Sequence, residues 1–341
     1  MSAAKSFTAS WLMAQKFPPV QYVVPGIVPE GMTLLVAAPK IGKSWMVLGL
    51  ALELSNGGDA FGCIPVGKPR PVLYLALEDG QRRLQDRLKM LRPSEVSHRL
   101  EFVTELGEAK VVETIRDYMT KFAGLDPVVI LDTLGKVMPP AGNASQYGHD
   151  YRVLSALKET ADAVPGSSLV IVHHTRKSEG GDFLDAVSGT QGIAGAADTV
   201  LVLKRDRHDK TATLQVTSRD AEEGEYSLTM TEGTWNLNGG DLVSSAAAAQ
   251  TAKQTVGVGD RMAEVIEMVG SYPEGMRAHD LGVLLNMDDK TASVYLSRAF
   301  DSGRLNRPKR GLYTPVMSVG SVVYGTEPNT NNTHNTPLGG L

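Results

Sequence analysis

Residues 37–44 read Ala-Ala-Pro-Lys-Ile-Gly-Lys-Ser, a small residue and then Gly-Lys-Ser after four intervening positions. That spacing suits the cradling of a phosphate. Gly42 lets the backbone come close to an anion, Lys43 brings a cation to the β and γ oxygens, and Ser44 offers a hydroxyl to Mg²⁺. Ala37 stands where a first glycine often lies, Ala38, Pro39, Lys40 and Ile41 make the turn, and Trp45 opens the apolar stretch WMVLGLALEL. If that stretch is a helix, its first amides and its dipole attract the anion further.

Phosphate hydrolysis needs acids as well. Asp132 ends the apolar run PVVIL, where a carboxylate meets a metal, most simply through water; a helix cap is the bland alternative. Glu78 ends VLYLAL and is followed by Asp79. Either carboxylate can orient the attacking water as a general base, and Glu78 is the preferred one. SLVIVHH ends in His173 and His174. His174 suits a polar sensor of the terminal phosphate; a metal site built on the pair lacks a third ligand at a usable spacing.

These residues need strands that end at one edge and helices that start there. The continuous apolar runs at 33–37, 71–77, 100–104, 128–132 and 168–173 read as buried parallel strands. Helical patterns at 81–91, 108–123 and 151–163 alternate with them. The fold class expected is α/β, a mostly parallel sheet covered by helices. Further β segments at 199–204, 211–217 and 225–231 follow, the later ones antiparallel. The layout expected is a lead-in (1–30), an ATPase-type domain (31–237), a Gly/Ser/Ala-rich linker (238–260), a compact second domain (261–315) and a disordered tail (316–341).

Composition narrows the setting. The chain has 341 residues, 42% of them apolar, and a single cysteine, Cys63. Those values leave room for a core but none for a disulfide framework or a cysteine zinc site. No apolar run is long enough to span a membrane, the first residues lack the layout of a secretion signal, and a cytoplasmic setting is expected. Net charge is -4 and the pI about 6.0, so any nucleic-acid binding must come from local patches.

GMTLLVAAPKIGKS, VLYLALEDGQRRLQDRL, VVILDTLG, VIVHHTRK and SGTQGIAGAADTVLVL, in that order, resemble the RepA-type and DnaB-like branch of RecA-fold ATPases, which includes many phage and plasmid replication helicases. The resemblance spans roughly residues 15–237. It implies a RecA-like core that binds ATP and Mg²⁺ through Lys43, Ser44 and Asp132, with Glu78 as catalytic carboxylate and His174 as sensor. It also implies a homo-oligomer, usually a hexameric ring, in which a neighbour supplies an arginine finger. Arg219, in LQVTSRD, matches the finger's place, although many relatives carry Lys-x-Arg there and this chain has Thr217-Ser218-Arg219. Arg205 and Arg207 are its rivals.

In such motors two loops line a central channel for single-stranded DNA. Here they hold Lys136 in the first and Arg176 and Lys177 in the second; a mobile lid over the nucleotide is the alternative for the second. Residues 261–315 resemble a winged helix, with Lys290, Arg298, Arg307, Lys309 and Arg310 as contacts to duplex DNA; docking of a replication protein is the other use of such a module. A ring-shaped helicase or translocase for phage or plasmid replication is therefore expected. A RecA-like filament protein and an ATP-switched DNA-binding regulator are the alternatives, and a small-molecule kinase ranks last, for want of an acceptor lid.

Overall fold

The structure, a computed structural model, describes residues 6–106, 111–138, 146–174, 195–205, 209–255 and 257–316. A short helix α1 (Ala9–Met13) precedes a hairpin of β1 (Tyr22–Val24) and β2 (Val28–Pro29). Then come β3 (Gly31–Ala37), α2 (Lys43–Asn56), the hairpin β4 (Asp59–Ala60) and β5 (Ile64–Pro65), β6 (Val72–Ala76), α3 (Gln81–Leu91), β7 (Leu100–Val103) and α4 (Val111–Lys121). They are followed by β8 (Val128–Asp132), α5 (Gln146–Asp162), β9 (Ser168–His174), β10 (Thr199–Lys204), β11 (Thr211–Ser218), β12 (Gly224–Thr231) and β13 (Thr234–Leu237).

Nine strands form one sheet in the order β13-β12-β11-β10-β3-β9-β8-β6-β7. The six from β10 to β7 are parallel to one another, and β11, β12 and β13 continue antiparallel. The expected α/β class with a mostly parallel sheet is the one observed. The apolar runs that look featureless in sequence split by alternation, because successive side chains point to opposite faces. Leu35, Ala37, Val128 and Ile130 join the core that α2 fills. Met32, Leu34, Val36, Val129 and Leu131 join the core under α4 and α5. α2 itself buries residues on nearly every side, as an apolar central helix does.

β9 lies between β3 and β8. The strand that feeds the phosphate loop and the strand that carries Asp132 therefore flank the strand that carries His174. Register does the rest: Ala37 pairs with His174, and Asp132 with both Val172 and Ala76. The chemical groups of that edge thus end within two residues of one another along the strands, about 6.6 Å.

One expectation is corrected. The stretch 238–260 is no open linker; it holds α6 (Leu242–Thr255), packed along β12. Ser245 Oγ donates to Ser227 O at 2.7 Å, Ala249 is buried, and Leu242 packs on the core beside α2. The alanines that suggested low complexity are strong helix formers, and Asp241 caps the helix through Ser244 N at 2.8 Å. Beyond it α7 (Asp260–Gly270), α8 (Ala278–Leu285), α9 (Asp289–Asp301) and the hairpin of β14 (Leu305–Lys309) and β15 (Leu312–Pro315) enclose a separate core. The expected tail from 317 onward lies outside the described residues.

Candidate nucleotide site

Gly42 caps α2 with a φ of 107°, a conformation that favours glycine. A side chain there would also collide: its Cβ would sit 2.9 Å from Met230 Sδ and from Trp235 Cζ2. Trp235 Nε1 donates to Gly42 O at 3.1 Å. The loop is therefore braced from below by β12 and β13, while Ala38, Pro39 and Lys40 stay exposed above.

Lys43 is buried, with 4% of its surface exposed. Its Nζ donates to Ala37 O at 2.7 Å and Ala38 O at 2.9 Å, and lies 2.9 Å from His174 Nδ1. Burial lowers its pKa to about 8, against the pull of Asp132 and Glu78 in the other direction. Asp132 Oδ2 accepts from Tyr74 Oη at 2.8 Å, and the Ser44 hydroxyl lies near enough to favour the charged carboxylate. Asp132 Oδ1 is buried with no partner. Burial raises the pKa of Asp132, and the Tyr74 bond and the nearby Ser44 hydroxyl oppose that rise. An orphaned anionic oxygen beside a serine hydroxyl is a donor set that fits Mg²⁺.

Glu78 is 38% exposed, with Oε1 accepting from Thr133 Oγ1 at 2.9 Å and lying 3.7 Å from His174 Nε2. Asp79 is spent elsewhere: it is buried and paired with Arg83 at 3.0 Å and with Arg87. Lys43, Ser44, Asp132, Glu78 and His174 thus come together at one sheet edge. Thr133, Tyr74, Met230 and Trp235 complete the site and were not foreseen. Only Thr133, adjacent to Asp132 in the chain, left a local signal.

Arg219 stands apart. Ser218 pairs with Thr199, and Thr199 with Thr33, whereas the loop follows Ala37. Four residues of strand put roughly 13 Å between those levels. Arg219 donates to Gly195 O at 3.2 Å, lies 3.9 Å from Asp198 Oδ1 and is 63% exposed. Its rival Arg205 lies at the loop's own end of the sheet, over the Trp235 ring at 5.6 Å. Arg207 lies outside the described residues, as do Arg176 and Lys177. Lys136 is exposed on the turn after β8. Lys290 and Arg298 on α9, and Arg307, Lys309 and Arg310 on the last hairpin, are all exposed, with Arg307 over Phe300 at 4.2 Å.

The family profile of an AAA domain (AAA_25) matches residues 2–180, more than half of the chain. The chain belongs to the AAA domain family. Membership makes it an ATPase by kind, in keeping with the loop geometry. Among solved structures, this AAA domain protein is similar to one described as an ATPase domain, with 16% identity and a TM-score of 0.48 over 61% of this chain and 84% of that one. It is also similar to a DnaB-like replicative helicase described with its interactions with primase, with 17% identity and a TM-score of 0.48 over 60% of this chain. It spans 57% of that helicase. Among the described residues no helix is long and apolar enough to cross a membrane.

The depressed Lys43 pKa has a measurable consequence for this AAA domain. A bound triphosphate restores an anionic partner and raises that pKa. Above pH 8 the free site has lost the proton and the loaded site keeps it, so affinity falls as pH rises through that value. Calorimetry at pH 9 in two buffers of unlike ionisation enthalpy is expected to show uptake of about one proton on ATP binding. Zero uptake contradicts the assignment.

Proposed function

We propose that this chain is an ATP-driven DNA helicase or translocase, working as a ring whose nucleotide sites lie between subunits. The observation that carries the reading is the split of the machinery. The phosphate loop, Lys43, Glu78 and His174 share one edge of the sheet, while the exposed Arg219 lies at the other end. A finger that cannot reach its own nucleotide is suited to the neighbour's, and repetition of such a head-to-tail contact gives a ring where the rotation closes and a filament where it does not.

In this reading ATP lies over Ala37 to Trp45, and Lys43 exchanges the Ala37 and Ala38 carbonyls for phosphate oxygens. Glu78 takes a proton from the attacking water, and His174 senses the terminal phosphate. Ser44 and Asp132 hold Mg²⁺, with Asp132 acting through water. When bound, that ion neutralises charge on the β and γ oxygens. Arg205, stacked over the buried Trp235 beside the loop, offers a cation to the rest of the nucleotide.

Lys136, with Arg176 and Lys177 in the second loop, would meet the phosphates of a single strand in the channel. The C-terminal helices and hairpin are read as a winged helix, with α9 in a groove of duplex DNA and Arg307, Lys309 and Arg310 on its backbone. That local basic face offsets the acidic total. The exposed Val283, Leu284 and Val294 on α8 and α9 favour a second use of the module, docking a replication protein. Phage or plasmid replication is the setting the motif resemblance suggests.

The test is turnover with and without single-stranded DNA, paired with strand displacement from a forked duplex. We expect DNA to stimulate Mg²⁺-dependent hydrolysis and the fork to open, with Lys43→Ala inactive in both. Turnover indifferent to single strands, with ATP-dependent duplex binding and no displacement, would instead mark a DNA-binding regulator.

A further inference from the structure

The lysine, histidine and glutamate of the site form a directed chain, and its far end is a residue with no role so far. An ammonium has only protons to give, so His174 Nδ1, 2.9 Å from Lys43 Nζ, must be the acceptor. The imidazole proton then sits on Nε2, which faces Glu78 Oε1 at 3.7 Å. Thr133 Oγ1 donates to that same oxygen at 2.9 Å. Both contacts fall on Oε1, and Oε2 takes part in neither.

Thr133 is well placed to hold something. It is 1% exposed, and the backbone around it is pinned on both sides: Leu77 N donates to Asp132 O at 2.8 Å, and Lys136 N to Thr133 O at 3.0 Å. Glu78 sits at a more exposed strand end, and a free carboxylate there samples several rotamers. Its nearest rigid tether is the threonine hydroxyl.

We infer that Thr133 is a positioning residue, whose hydroxyl holds Glu78 by Oε1 so that Oε2 is presented to the attacking water. The inference rests on the ATPase reading with Glu78 as the base. When the terminal phosphate draws Lys43 away, His174 Nδ1 loses its donor and the His174 contact to Glu78 is free to change. The Thr133 bond involves neither group and persists, so Glu78 keeps its aim when water must be deprotonated. The proton passes from water to Oε2, and the resulting hydroxide oxygen bonds the γ phosphorus as the bond to the β-γ bridging oxygen breaks.

The experiment compares Thr133→Val, nearly equal in shape but without the donor, with Thr133→Ser and Glu78→Gln in the full chain. Thermal midpoints and binding of a fluorescent ATP analogue establish that each variant is folded and loaded. For Thr133→Val we expect kcat to fall roughly 10- to 100-fold, the scale on which a misplaced group costs rate, with little change in KM. Thr133→Ser should recover most of the rate.

A full rate in Thr133→Val, a rate loss that comes with an equal weakening of ATP-analogue binding, or a Thr133→Ser as slow as the valine variant each overturns the inference. Glu78→Gln separates the two levels. If it is inactive while Thr133→Val turns over normally, the base assignment stands and only the role of Thr133 falls. If Glu78→Gln keeps its rate, the reading beneath the inference falls with it.

Discussion

Arg219→Ala is expected to lower ATP turnover by about 10³- to 10⁵-fold, the range attributed to an arginine finger, equivalent to about 4–7 kcal/mol of barrier. Nucleotide binding by the same variant should be almost unchanged, because Arg219 lies at the sheet end remote from its own phosphate loop. An arginine acting in cis would lose both together. The decisive form is a mixture. A Lys43→Ala subunit has a disabled loop and an intact Arg219, and an Arg219→Ala subunit has the reverse. Each is inactive alone, yet at random mixing about a quarter of head-to-tail interfaces pair the two good halves. Recovery of a corresponding share of turnover supports shared sites. A mixture as inactive as its components, once mixed assembly is verified, removes the finger from Arg219. Among the described residues that side chain is held by the Gly195 carbonyl at 3.2 Å and by Asp198 at 3.9 Å. Its side chain is 63% exposed and so accessible to a neighbour.

The parts of this site that were legible in the sequence are those whose information is local. Gly42, Lys43 and Ser44 are adjacent in the chain, and a strand before them and an apolar helix after them leave one geometry open. Asp132, Glu78 and His174 were legible for a related reason: each ends an apolar run, and parallel strands bring such ends to one edge. The braces beneath the loop were not legible. Trp235 Nε1 reaches Gly42 O across 193 positions of sequence, from a four-residue strand whose alternation is too short to register. The helix α6 was hidden by composition, since serine and alanine serve linkers and helices alike. The sign of the charge argument was also invisible from totals, because the cations at 290–310 are concentrated on one small module while the chain as a whole is acidic.

The choice between Glu78 and Asp79 turns on a signal that the sequence does carry. Arg83 and Arg87 stand four and eight residues after Asp79, the spacing of one helical face, and the structure pairs both with that carboxylate. Asp79 is thereby a structural anchor for α3, and Arg87 in turn lies over the Trp45 ring at 5.3 Å. The two acids should therefore fail in different ways. Glu78→Gln keeps the shape and the Thr133 bond but cannot accept a proton. A fall of about 10²- to 10⁴-fold in kcat is expected, the usual worth of a general base, with ATP affinity and thermal midpoint close to wild type. Asp79→Asn removes the charge that two guanidinium groups face. It should cost about 1.5–3 kcal/mol of stability, the scale of a hydrogen bond to a charged group, while kcat measured well below the lowered midpoint stays within a few fold. Chemical denaturation and single-turnover hydrolysis on both variants decide the matter. Loss of turnover in a stable Asp79→Asn, together with an active Glu78→Gln, would exchange the two roles. It would also mean that the paired arginines release Asp79 when nucleotide arrives.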